Sequence, residues 1–145
     1  MDYQIQVITV PVSDVDKALA FYTQQAHFTL DIDYHPAPGF HVVQLTPPGS
    51  ACSVQIGAGL TDAAPGSAPA AYLAVTDIEA VHRELTGRGI KVSAIRHKSP
   101  IDDWKGGWQP GTDRERRDYA SFADFADPDG NTWVLQEIGY RRGPQ

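Results

Sequence analysis

F-A-D-P-D-G-N-T-W-V-L-Q-E, residues 125–137, decides how this chain is read. Its centre, Asp127-Pro128-Asp129-Gly130-Asn131, is a turn with a mechanism, because proline fixes φ and glycine accepts the left-handed region. Ala120–Phe125 stands before it and Thr132–Ile138 after it, both rich in apolar and aromatic residues, so the stretch predicts a hairpin.

Outward from the hairpin the same order of elements occurs twice. Residues 70–97 hold A-A-Y-L-A-V-T-D-I-E-A-V-H-R-E-L and then G-I-K-V-S-A-I-R-H; residues 5–34 hold I-Q-V-I-T-V-P-V-S-D-V-D-K-A-L-A-F-Y and then H-F-T-L-D-I-D-Y. Each reads as strand, capped helix, strand. Ser13 and Thr76 are the expected N-caps, with Asp14 and Asp77 placing negative charge in the first turn. Val15-Ala18-Leu19-Tyr22 and Ile78-Val81-His82-Leu85 form the apolar stripes. The first half also has its own hairpin, Phe40–Leu45 and Cys52–Ile56 around Thr46-Pro47-Pro48-Gly49-Ser50. The predicted fold is α+β, βαβββ twice: module one at about 3–57, a linker rich in Ala, Gly and Pro at about 58–69, and module two at about 70–139. A long irregular segment, Lys98–Asp118, interrupts the second module; such loops are usually functional or mobile.

Composition narrows the function. With 145 residues, 41% hydrophobic and 21% charged, the chain fits one ordinary soluble domain. It has no apolar run near the ~20 residues of a membrane span, and its start, M-D-Y-Q-I-Q-V, does not read as a signal peptide. Cys52 is the single cysteine, which excludes an internal disulfide and a multi-thiolate metal site within one chain and points to a reducing cytoplasm. The net charge of -6 argues against nucleic acid as a partner.

V-S-D-V-D-K-A-L-A-F-Y at 12–22, V-T-D-I-E-A-V at 75–81 and D-P-D-G-N-T-W at 127–133 together resemble the vicinal oxygen chelate superfamily, the glyoxalase, bleomycin resistance protein and extradiol dioxygenase group. The resemblance covers nearly the whole chain. It implies two modules that form a curved mixed-sheet cup, helices on the outer face, with ligand or metal inside, and commonly a homodimer. Metal-using members carry His, Glu or Gln at four strand positions. The matching positions here are Val7, Ala71, Val134 and Gln55, with Ser53 the alternative to Gln55. A divalent ion needs several N, O or S donors. One amide is too little, so the resemblance implies a site with no metal and no cofactor. It argues against glyoxalase I chemistry, ring cleavage and fosfomycin-type thiol transfer.

Strand alternation from these positions puts Ile5 and Thr9, Leu73 and Val75, and Gln136 on the cup face. Gln136 is a candidate polar anchor or a solvent-facing strand end. His41 is a candidate hydrogen-bond partner or general base, or a half-exposed structural histidine; Gln44 must point the other way. His35 and His97 read as surface residues, and His82 as packing. Trp104 and Trp108, in the glycine-flanked segment 101–111, either close over a planar ligand or pin the loop. Asp102 and Asp103 are a cation site or a solvated turn. Arg114, Arg116 and Arg117 clamp an anion or pair locally with Asp113, Glu115 and Asp118. Either Phe122 or Ser121 faces the cup, and Glu137 faces away from it.

The candidate ligand-binding set is therefore His41, Gln55, Trp104, Trp108, Phe122 and Gln136, with no metal ligand. The leading expectation is binding of a small aromatic or amphiphilic molecule between the modules, for instance sequestration of a drug or toxin. The alternatives are a lyase or isomerase with His41 as base, and a metal site built from His41, His35 and Gln55.

Overall fold

The computed structural model describes residues 1–100 and 107–142. The chain is α+β, with two mixed sheets and two α-helices among the described residues, and it divides into two compact units. Unit 1 is Met1–Pro69 with Ala126–Thr132; unit 2 is Ala70–Phe125 with Trp133–Gln145. The Asp127–Asn131 turn, encoded within the second module, thus belongs by its contacts to the first unit.

In unit 1 the elements are β1 (Val7–Thr9), α1 (Val15–Ala20), a π-helical turn (Phe21–Gln25), β2 (Thr29–Ala37), β3 (Phe40–Thr46) and β4 (Ser53–Ala58). The sheet order is β1-β4-β3-β2, with β1 parallel to β4 and the other pairs antiparallel. α1 packs against β4, and Val43, Leu45 and Ile56 are fully buried along with Ala18, Phe21, Tyr22 and Phe28. In the π turn the Ala26 N–H donates to the Phe21 carbonyl. The extra residue per turn lets the adjacent Phe21 and Tyr22 both go inside, their rings edge to face at 5.1 Å.

The N-cap of α1 is Asp14, not the expected Ser13; the Asp14 carboxylate accepts from Lys17 N–H. Ser13 is used over a longer range. Its N–H and hydroxyl both donate to the Asp129 carboxylate, at 3.1 and 2.6 Å. Asp127 is buried and accepts from Tyr22 Oη at 2.7 Å, from the backbone N–H groups of Asp129 and Asn131, and from Asn131 Nδ2. Asn131 Nδ2 also donates to the Pro11 carbonyl, and Asn131 Oδ1 accepts from Ala68 N–H. A Cβ at Gly66 (φ 81) would lie 2.1 Å from the Asp129 carbonyl oxygen, so only glycine admits this approach. The turn is a polar knot that ties the start of α1 to the linker.

Unit 2 has β5 (Ala71–Val75), α2 (Ile78–Gly87), β6 (Arg96–Ser99), β7 (Gly107–Pro110), β8 (Ser121–Ala126) and β9 (Thr132–Glu137), in the order β5-β9-β8-β6-β7. Here too the cap falls one residue later than expected: Asp77 accepts from Ala80 N–H, and Thr76 does not cap. β6 is only Arg96–Ser99, because residues 90–95 approach the sheet without a regular ladder; Ser93 N–H donates to Asp124 O. The segment expected to be irregular contains β7, an edge strand paired with β6. Gly-Trp-Gln-Pro does not read as a strand, yet proline is tolerated at a sheet edge. No described helix is long and apolar enough to cross a membrane.

Candidate functional site

In unit 1 the strand registers sort the polar side chains onto two faces. Thr9 pairs with Gln55, Gln55 with Gln44, and Gln44 with Ile32, so these four form one row on the face away from α1. Gln55 Nε2 donates to Thr9 Oγ1 at 2.7 Å. Val7 pairs with Ser53, whose hydroxyl lies 2.6 Å from Thr46 Oγ1; Thr46 in turn donates to Asp31. The polar groups of this open face are the amides of Gln44 and Gln55 and the hydroxyls of Thr9, Thr46 and Ser53, with the apolar Ile32 in the row and the Asp31 carboxylate at Thr46.

His41 is on the other face, the one that holds Val43 and Leu45. Its Nε2 is 2.7 Å from Asp33 Oδ1, and its ring stacks on His35 at 4.2 Å with planes 6° apart. Gln44 therefore occupies the place beside Gln55. A metal trio of His41, His35 and Gln55 does not assemble, since Gln55 lies on the opposite side of the sheet.

In unit 2, Phe125 stacks on Trp133, which places the odd-numbered residues of β8 and β9 together beneath α2. Phe122, Val134 and Gln136 then share the open face. Alternation placed Ala71, Leu73 and Val75 beside Val134. The register instead pairs Tyr72 with Val134 and Ala74 with Gln136, while Ala71 lies opposite Trp133. A slip of one residue exchanges every side chain on a strand, and β5 carries that slip. Tyr72 is 61% exposed.

The open face of unit 2 continues onto β6 and β7. Arg96 pairs with both Phe122 and Pro110, and Lys98 pairs with Trp108. Trp108 meets Phe122 edge to face at 5.1 Å and is half-exposed. The Arg96 guanidinium lies 5.0 Å from the Trp108 ring centroid and donates to Asp124 Oδ1 at 2.5 Å. Phe122, not Ser121, lies on this face. Gln136 Nε2 makes a long contact to the Tyr119 carbonyl, 3.4 Å. Thus Trp108 and Phe122 touch, Gln136 shares their face, and Gln55 belongs to the other unit. Trp104, Asp102 and Asp103 lie outside the described residues.

The positions implied for metal carry Val7 and Gln55 in unit 1 and Val134 in unit 2, with Tyr72 beside it. Gln55 spends its amide on Thr9. Neither unit presents at these positions the donors that a divalent ion needs. Among the described residues, no group of three His, Cys, Asp or Glu is arranged to hold a metal.

One constellation escaped the sequence reading. Glu137, fully buried under α2, accepts from Ile78 N–H at 2.9 Å and from Arg116 at 2.8 and 2.6 Å. Arg116 also donates to Glu79 and Asp77, and stacks on Tyr140 at 3.6 Å. Its backbone is in the left-handed region (φ 54), a conformation that the side-chain contacts hold in place. The bond to Glu137 keeps the guanidinium pKa well above its ordinary value. The signal was available: a carboxylate on a strand's buried face requires a cation. Arg117 does pair locally, as expected, with Asp113 at 2.7 and 3.0 Å. Those side-chain bonds lower the Asp113 pKa to about 2. Beside this cluster, sharing Asp77 and Tyr140 with it, a cavity of about 290 Å³ is lined by Thr76, Asp77, Gly139, Tyr140 and Arg141.

Similarity to known proteins agrees with this architecture. The family model described as Glyoxalase/Bleomycin resistance protein/Dioxygenase superfamily matches residues 4–135. Among solved structures, TnmS3, an antibiotic binding protein from Streptomyces sp. CB03234, is 27% identical with a TM-score of 0.69, over 94% of this chain and 96% of that one. A glyoxalase/bleomycin resistance protein from the same Streptomyces is 27% identical with a TM-score of 0.66, over 92% and 99%. A superfamily member from Sphaerobacter thermophilus DSM 20745 is 26% identical with a TM-score of 0.65, over 94% and 98%. No curated protein matches the chain significantly. The βαβββ order of unit 1, repeated in unit 2 with β7 as an added edge strand, and the match over residues 4–135 make one conclusion plain: the chain belongs to the Glyoxalase/Bleomycin resistance protein/Dioxygenase superfamily.

Proposed function

We propose that this protein binds a small aromatic or amphiphilic molecule without a metal, and that it acts by sequestering it. The observation that carries this reading is the open face of unit 2, where the half-exposed Trp108 is braced by Phe122 and Arg96. A large rigid ring held in place offers contact area at little entropic cost. Likeness to an antibiotic binding protein supports a small-molecule binding role. Metal-free binding rests on the valines at Val7 and Val134. The exposed Leu30, Ile32 and Tyr34 on β2 suit a homodimer, and the lone Cys52 suits the reducing cytoplasm. The test is a titration of planar aromatic compounds followed by tryptophan emission, with mass analysis of the recovered ligand. Saturable binding with the ligand recovered intact is expected; a converted product would overturn sequestration.

A second reading has one observation in its favour. The 2.7 Å contact between His41 and Asp33 is the geometry of an oriented general base. If the protein is an acid–base enzyme, His41→Ala abolishes turnover and spares binding; with no turnover in the unsubstituted protein, this reading falls.

A further inference from the structure

The binding reading leaves the ligand's charge open, and unit 2 speaks to it. We propose that the Trp108 face selects planar aromatic ligands that carry an acid group, the ring lying against Trp108 and the anion held by Lys98. The inference rests on the binding reading above.

The chain as a whole repels anions, with 18 acidic and 12 basic residues. The open face of unit 2 departs from that balance: among the described residues of its strands, the ionisable side chains on this face are Arg96, Lys98, Asp124 and Tyr72. Arg96 and Asp124 neutralise each other at 2.5 Å, and Arg96 is further fixed by Ser93 Oγ and by the Trp108 ring. Arg96 is therefore a brace. Among the described residues Lys98 has no ion pair, so of the two described cations on this face it is the unspent one. The register sets that cation directly opposite Trp108. Side chains so paired leave the sheet on the same face with Cβ atoms about 5 Å apart. An acid group attached to a ring on Trp108 falls within reach of the ammonium, whereas an amine there would meet both Lys98 and Arg96. Phe122 braces the indole edge to face, so the platform is held before a ligand arrives.

The test uses the full chain and three probes that share one ring system: anthracene-9-carboxylate, 9-anthracenemethanol and 9-(aminomethyl)anthracene, titrated at pH 7 and low salt by fluorescence anisotropy. The acid is expected to bind about tenfold tighter than the alcohol, and the amine weakest. Lys98→Gln should erase the difference between acid and alcohol, Lys91→Gln should leave it unchanged, and Trp108→Leu should weaken all three. Equal binding of acid and alcohol, or a preference that survives Lys98→Gln, overturns the charge inference and leaves the binding reading standing. Binding untouched by Trp108→Leu overturns the placement. If none of the three binds, both the inference and the binding reading fail.

Discussion

The two modules solve the same problem at the start of their helices with different chemistry. In each, a carboxylate from outside the helix meets a backbone N–H at its N-terminus: Asp129 at Ser13, Glu137 at Ile78. Asp129 is half-buried and is satisfied by neutral donors around a turn. Glu137 is fully buried and needs Arg116, which in turn gathers Asp77 and Glu79. The open faces diverge as well. Unit 1 presents mainly amides and hydroxyls, with Ile32 and Asp31 beside them; unit 2 presents Trp108, Phe122, Arg96 and Lys98. The frame common to both units fixes where helices and strands go, with β7 an addition in unit 2, and leaves the polar chemistry free to differ between copies.

The largest effect should come from the charged solution. Arg116→Met strands a buried carboxylate and should cost ~3–5 kcal/mol in denaturant unfolding. Arg116→Met with Glu137→Met should cost less than Arg116→Met alone, and a double loss equal to the sum of the two single losses would show that the pair is not coupled. The neutral solution should be less sensitive. Asp127→Ala leaves the Tyr22 hydroxyl and two backbone N–H groups without their acceptor, at ~3 kcal/mol, while Tyr22→Phe leaves Asp127 three donors and should cost ~1 kcal/mol. If Tyr22→Phe matched Asp127→Ala, the turn would not be the shared hub described here.

Acid separates the units further. Asp113 has its pKa lowered to about 2 from 3.8 by the Arg117 side chain. The unfolded chain takes up that proton first, so the contribution is complete above about pH 4 and is lost as pH falls through 2. Because Arg117 is 46% exposed, solvent screening reduces the contribution to ~1 kcal/mol. Arg117→Met should flatten the unfolding midpoint between these pH values; an unchanged profile would remove Asp113 from the account. The smallest effect on folding belongs to Trp108→Ala at the sheet edge, under ~1 kcal/mol by thermal unfolding, against a marked loss of ligand binding.

Much of the fold was legible because it is periodic. The two helix stripes, the hairpin turn and the doubled order appear in short-range spacing. The caps were misplaced by one residue because Ser13 and Thr76 precede aspartates that can cap equally well, and Ser13 is claimed by Asp129 across 116 positions of chain. β7 was hidden because its glycine and proline read as loop. The candidate site was partly legible. Trp108 and Phe122 came together as aromatic residues on one face, but Ala71 exchanged places with Tyr72 through the β5 register. His41 fell beneath the sheet with Asp33 and His35. Side-chain facing depends on inter-strand register, which alternation within a single strand does not determine.

The most direct test of metal-free binding is a titration of anthracene-9-carboxylate into chelator-treated protein, repeated after addition of Ni, Zn, Mn or Fe ions. The account predicts saturable binding in the chelator-treated protein, unchanged by any ion, with the ligand recovered unaltered. Binding that appears only once an ion occupies the chain would contradict it.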